Sequence, residues 1–223
     1  SEMCIRDSLY STPAGKNTIV IVLADHGDGM GSHRMVTKQV SFYEEMTNVP
    51  FIIAGPGIHP RQKPVEDLLT QPTIDLLPTL CELAGIPVPS SKPGISLAPF
   101  LKGEKQKRQH PYAASEWHSE YEVTVSPGRM IRSPRYKYTH YLEGNGEELY
   151  DMLKDKGERR NLAHDPKYSK ILAEHRALLD DYIRRTQDDY RSLKVEADKR
   201  WRSHAPGYPN HEGPCARDII NRK

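Results

Sequence analysis

The stretch Thr18-Ile-Val-Ile-Val-Leu-Ala24 constrains the fold more than any other, because an apolar, β-branched run without alternation reads as a strand buried on both faces. Strands of that kind belong to parallel sheets covered by helices. The run leads into Asp25-His-Gly-Asp-Gly-Met-Gly-Ser-His33, a loop at the strand's carboxyl edge, where open α/β sheets bind ligands. Residues 38–46 are compatible with a helix, and Val49-Pro-Phe-Ile-Ile-Ala54, closed by Gly55-Pro-Gly57, reads as a second buried strand. Two such strands with helical material between them predict an α/β core.

Before this core, residues 1–17 lack periodicity and stay unassigned. After it, Ile74, Leu77, Leu80, Cys81 and Ala84 recur at helical spacing and Gly85 stops the pattern, with Pro78 implying a helix start nearby or a kink. Residues 86–111 are rich in Pro, Gly, Lys and Ser and predict a surface connection with a short helical piece at 97–101. Short segments at 112–117, 129–131, 136–141 and 148–150, all but the second containing tyrosine and separated by turn signals, predict a small antiparallel sheet. The best helix runs over 168–190, where Ile171, Leu172, His175, Leu178, Leu179, Tyr182 and Ile183 recur at threes and fours and should pack on that sheet. Residues 191–223 read as an irregular tail.

Composition narrows the partners. Lys plus Arg at 32 against Asp plus Glu at 30 leaves a formal charge of +2, with the signs interleaved, so there is no electrostatic case for nucleic acid. Cys4, Cys81 and Cys215 are too scattered for a zinc ribbon or a disulfide framework. The longest apolar run is far too short for a membrane span, and an export signal would have to lie upstream.

The residues that carry chemistry cluster after the first strand. Asp25 and His26 are adjacent, and glycines at 27, 29 and 31 let the backbone turn sharply, so a carboxylate and an imidazole can face one cation. The plain alternative is a turn that merely caps the strand. His33 follows His26 by seven residues and Lys38 by twelve. His118, in Ser115-Glu-Trp-His-Ser119, suits a substrate pocket or an ordinary partly buried histidine equally. The tyrosines of the small sheet read as its packing face, and Lys154-Asp-Lys-Gly-Glu-Arg-Arg160 as a solvated loop.

Taken in order, these blocks resemble the sulfatase family of the alkaline-phosphatase superfamily. The resemblance rests on the 18–33 segment, Lys38, Tyr43-Glu-Glu45, Val49-Pro-Phe-Ile-Ile-Ala-Gly-Pro-Gly57, Ile74-Asp-Leu-Leu-Pro-Thr-Leu-Cys-Glu-Leu-Ala-Gly-Ile86, and Gly94-Ile-Ser-Leu-Ala-Pro-Phe-Leu-Lys-Gly103. Glu148-Leu-Tyr-Asp-Met152, followed by Glu158 and Asn161-Leu-Ala163, completes it. It implies an α/β fold: the C-terminal part of an alkaline-phosphatase-like sandwich over 18–110, and a small antiparallel-sheet-plus-helix subdomain over 111–190.

The resemblance further implies a sulfuric ester hydrolase acting on small-molecule or glycan sulfate esters. Asp25 and His26 would be two ligands of a divalent cation, by family habit Ca2+, although calcium prefers all-oxygen shells and an imidazole alone suggests a softer metal. Lys38 would contact the sulfate with His33 close by as the catalytic pair, and His118 would join Lys38 in binding substrate. Family members use a Cys or Ser in Cys/Ser-x-Pro-x-Arg, matured to formylglycine, and that motif is absent from these residues. The nucleophile is therefore expected upstream, with this chain inactive and weakly metal-binding by itself. A periplasmic or secreted location follows from family habit. One competing reading keeps the superfamily but makes the substrate a phosphate ester, with zinc or manganese on Asp25, His26 and a later histidine such as His118. The other is a non-catalytic module that binds a partner or glycan through the tyrosine-rich sheet.

Overall fold

A computed structural model of the chain describes residues 2–35, 41–65, 68–90, 93–105, 110–117, 127–142 and 146–192. Strand β1 (Val20–Leu23) pairs antiparallel with β2 (Phe51–Ala54), Val20 opposite Ala54 and Leu23 opposite Phe51. The expectation of a strand buried on both faces in a parallel sheet is corrected here: Val22 is 43% exposed, Leu23 41% and Ile52 57%. Among the described residues this sheet has two strands, and the ribbon lacks the flanking strands that would bury its apolar side chains. The unassigned N-terminal segment forms helix α1 (Glu2–Tyr10) and a 3-10 turn at Pro13–Asn17, where Thr12 accepts a hydrogen bond from the Gly15 amide.

Between β1 and β2 lies a one-turn helix, α2 (Glu44–Thr47), much shorter than the 38–46 stretch of helix-compatible sequence. Helix α3 (Pro72–Leu83) starts on a proline, whose missing N–H has no partner to lose at that position. Its internal Pro78 cannot bond the Ile74 carbonyl, and Gly94 backs against that carbonyl so closely that a Cβ would lie 2.1 Å from its oxygen. Helix α4 (Ala98–Leu101) is the short piece expected at 97–101.

Strands β3 (Ala113–Trp117), β4 (Gly128–Arg132), β5 (Tyr136–Tyr141) and β6 (Gly146–Asp151) form an antiparallel meander in that order. Its two faces do different things. Ile131, Tyr138 and Leu149 stand opposite one another and pack with Tyr112 and Leu162 against Leu172 and Leu179 of helix α5 (Ser169–Thr186). The other face carries Met130, Lys137, Thr139, Glu148 and Tyr150, by the strict alternation of strand side chains. That face is buried as well, because the 42–46 segment lies on it: Phe42 meets Tyr141 with ring centroids 6.0 Å apart, and Tyr43 meets Tyr150 at 6.4 Å. Helix α5 ends at Gln187 in the left-handed region, with its amide and that of Asp188 both returned to the Ile183 carbonyl.

Among the described residues no helix is long and apolar enough to cross a membrane.

Candidate active site

Asp25 and His26 leave the end of β1 on the wall of a cavity of about 1290 Å³ that extends to β3 and the C-terminal turn of α5. The Asp25 Oδ1 atom accepts the His26 backbone N–H at 2.9 Å, which turns Oδ2 toward the imidazole, 3.7 Å from Nε2. The other ring nitrogen, Nδ1, lies 2.8 Å from the Gly27 carbonyl, a contact that requires Nδ1 to carry the proton. In the neutral ring Nε2 then presents its lone pair beside the carboxylate. A ring fixed through one nitrogen by a carbonyl, with the other turned outward to ligate, is the usual arrangement of a metal-binding histidine. The 3.7 Å separation leaves room for one cation bonded to both at ordinary ligand distances of about 2.0–2.5 Å. The Asp25 side chain is 88% exposed, so its charge is retained at little cost. Among the described residues no group of three or more His, Cys, Asp or Glu side chains gathers as a metal shell, so these two donors stand as a pair.

The loop that follows is tightly built. Gly27 donates its N–H to the Met46 carbonyl of α2 at 2.9 Å, and a Cβ there would sit 1.7 Å from the Glu45 carbonyl oxygen. Only glycine lets the two backbones approach so far. Beyond it Met30, Gly31, His33 and Arg34 all take positive φ, at 45°, 97°, 49° and 63°. Three non-glycine residues in that region make a strained turn of the kind held only by its surroundings. His33 is held by Tyr43: the rings stack at 3.7 Å with 1° between their planes, and Nε2 lies 3.8 Å from Glu45 Oε2. Burial first, then the nearby Glu148 carboxylate, push the Tyr43 hydroxyl up to about 12, so it stacks as a neutral phenol.

The structure thus brings Asp25 and His26 onto the cavity wall, while His33 stacks on Tyr43 and is not among the residues lining that cavity. Lys38 and His118 lie outside the described residues.

Residues that the sequence did not single out complete the wall. Asp75, fully buried in a largely apolar helix, accepts N–H bonds from Gln71 at 2.7 Å and Ile95 at 2.8 Å and lies 2.7 Å from His110 Nε2. It fixes His110 on the cavity edge. Arg185 reaches the same wall from α5 and hydrogen-bonds the Tyr112 hydroxyl. A lone aspartate inside an apolar helical pattern was the signal for the first pair; nothing local marks the second. Glu158, read as part of a solvated loop, is 3% exposed and paired with the buried Lys137 at 2.9 Å, which corrects that expectation. The loop turns inward there because Glu158 takes a φ of 48° and its carboxylate finds an ammonium inside.

Comparison with known proteins identifies the family. The family model described as N-sulphoglucosamine sulphohydrolase, C-terminal, matches residues 31–185. The chain is 76% identical over 216 residues to the Delta 4,5-hexuronate-2-O-sulfatase of Bacteroides thetaiotaomicron, covering 97% of this chain and 45% of that relative. It superposes on the structure of a 2-O GAG sulfatase with a TM-score of 0.85 at 76% identity, over 96% of this chain and 46% of the other. A phosphonate monoester hydrolase from Silicibacter pomeroyi superposes with a TM-score of 0.71 at 27% identity, over 85% and 39%. The chain therefore spans a little under half the length of the relatives it matches best among these. With its α/β architecture and its small sheet-plus-helix unit, the chain belongs to the sulfatase family and matches that family's C-terminal domain.

Proposed function

We propose that this chain supplies one wall of a metal-dependent site that hydrolyses sulfate esters, with a 2-O-sulfated hexuronate as the substrate class. The single observation that carries the reading is the Asp25–His26 pair, its Nδ1 tied to a carbonyl and its Nε2 facing Oδ2 at 3.7 Å on a large cavity wall. The substrate class rests on the 76% identity to a Delta 4,5-hexuronate-2-O-sulfatase. A divalent cation held by Asp25 and His26 would offset charge on the sulfuryl oxygens and make the sulfur more electrophilic. The protein's own share is to bind and orient. Lys38 brings an ammonium toward the sulfuryl oxygens, where it stabilises charge that grows as the S–O bond breaks. His33, held on Tyr43, would act on the substrate side. Arg185 and His110, on the far wall, suit the carboxylate of a uronic acid. The nucleophile, a formylglycine in the family, comes from residues outside the present sequence.

The phosphonate monoester hydrolase likeness favours a second reading, in which the substrate is a phosphate or phosphonate ester. The protein expressed from its complete reading frame separates the two. On paired p-nitrophenyl sulfate and p-nitrophenyl phosphate, kcat/KM for the sulfate should be larger by orders of magnitude, and the reverse order overturns the proposal. In the same protein CaCl2 or ZnCl2 should raise the melting temperature, and Asp25→Ala or His26→Ala should abolish the rise.

A further inference from the structure

A cation buried beneath the small sheet links it to the loop that carries the site. The Lys137 side chain, on β5, is 1% exposed. Its ammonium lies 2.7 Å from Glu44 Oε1 and 2.9 Å from Glu158 Oε1, and it donates to the Phe42 carbonyl at 2.8 Å. Glu158 spends its second oxygen on the Glu44 backbone N–H, at 2.6 Å. Both partners of the ammonium are thus tied to the first turn of α2, one by its side chain and one through the main chain. A buried ammonium matched by three oxygens in this way is costly to assemble and costlier to break, so the α2 turn has one permitted position against the sheet.

From α2 the constraint passes to the site by contacts already described. The Met46 carbonyl, at its far end, holds the Gly27 N–H, one residue from His26. Glu45 and Tyr43 hold His33, whose left-handed backbone cannot keep its shape unsupported. We infer that Lys137, with Glu158, is a positioning residue that sets the 25–35 loop through α2. That this loop is a site rests on the sulfate-ester reading; that Lys137 fixes it does not. The Tyr43-Glu-Glu45 block and Glu158, two features of the sequence without a role in the chemistry, take one here: they are the two halves of the Lys137 bracket.

The test is amide hydrogen exchange on the protein, which needs no turnover and so stands or falls separately from the reaction. Lys137→Met keeps the stem and removes the charge. It should speed exchange of the Gly27 amide about tenfold or more while the Ile131 amide, in the β4–β5 ladder, stays within about twofold of wild type. The His33 ring resonances, shifted by the Tyr43 ring in the wild type, should move toward their unstacked positions in the same variant. Unchanged Gly27 exchange, or equal acceleration at Gly27 and in the sheet, overturns the inference, since the lysine would then serve nothing or the sheet alone. Should Lys137→Met fail to fold, Glu158→Gln replaces it, read on the same amides against the same two outcomes, because it removes one charge of the bracket and keeps its shape.

Discussion

At Gly27 the absence of a side chain is what the site requires. A methyl group there would collide with the Glu45 carbonyl, so Gly27→Ala has to push the 25–35 loop off α2. We expect a loss of about 1–3 kcal/mol in urea unfolding, together with loss of the metal-induced rise in melting temperature, since the same shift moves His26. That Asp25 and His26 are neighbours was legible in the sequence, but adjacent side chains of an extended chain point to opposite faces, so their convergence is the work of the loop. The tautomer of His26 was not legible, because it depends on which carbonyl the loop returns to Nδ1. Arg129 makes the same point from the opposite side. Its guanidinium, 3% exposed as a residue, forks onto Asp188 at 2.6 and 2.9 Å, lies over the Tyr190 ring, and donates to the Trp117 and Gly128 carbonyls. Arg129→Met should cost on the order of 3–5 kcal/mol by calorimetry, because Asp188 loses its main charge partner. Nothing in the run Gly128-Arg-Met-Ile131 tells that arginine from a surface one.

The elements were read with uneven success, for physical reasons. Helix α5 repeats its apolar residues at threes and fours, and its inward side chains Leu172, His175 and Leu179 are the buried ones. The four strands of the meander appear where short strand-forming segments lie between turn signals. Periodicity reports a face that some other element will cover, and here α5 covers it. Leu179 is 1% exposed in that core, and Leu179→Ala should lower stability by about 2–5 kcal/mol, measured by chemical denaturation. On β1 the same logic misled, because an apolar run fixes what a strand would bury and leaves open whether the cover is present. The 154–160 charges misled in the opposite direction. Composition places such a loop in water, while Glu158 follows the ammonium at Lys137.

On the scale of the molecule, the second face of the meander is a buried polar layer, and it makes stability depend on pH. Burial first, and the Glu158 carboxylate second, push the Glu148 carboxyl up from 4.5 to about 7, with Lys137 and Tyr141 opposing. The folded protein therefore holds this proton after the unfolded chain has released it. The contribution is complete below about pH 4.5 and lost as the pH rises through about 7, on the order of 3 kcal/mol at most. Arg176 and Arg135 hold Glu147 and Asp151 below the usual carboxylate range, which acts with the opposite sign at acid pH. The difference between wild type and Glu148→Gln isolates the first effect: the variant should lack the decline between pH 4.5 and 7 in unfolding free energy. Parallel profiles would show that Glu148 does not titrate there. Alone, the sequence determined the family, the order of the main elements beyond residue 17 and the identity of the chemical groups, because these follow from motifs and from periodicities of two and 3.6 residues. Tertiary structure alone decided which charges are buried and how the 25–35 loop is held. Those depend on partners such as Glu44 and Glu158, 114 residues apart, that meet only when the 42–46 segment closes over the sheet.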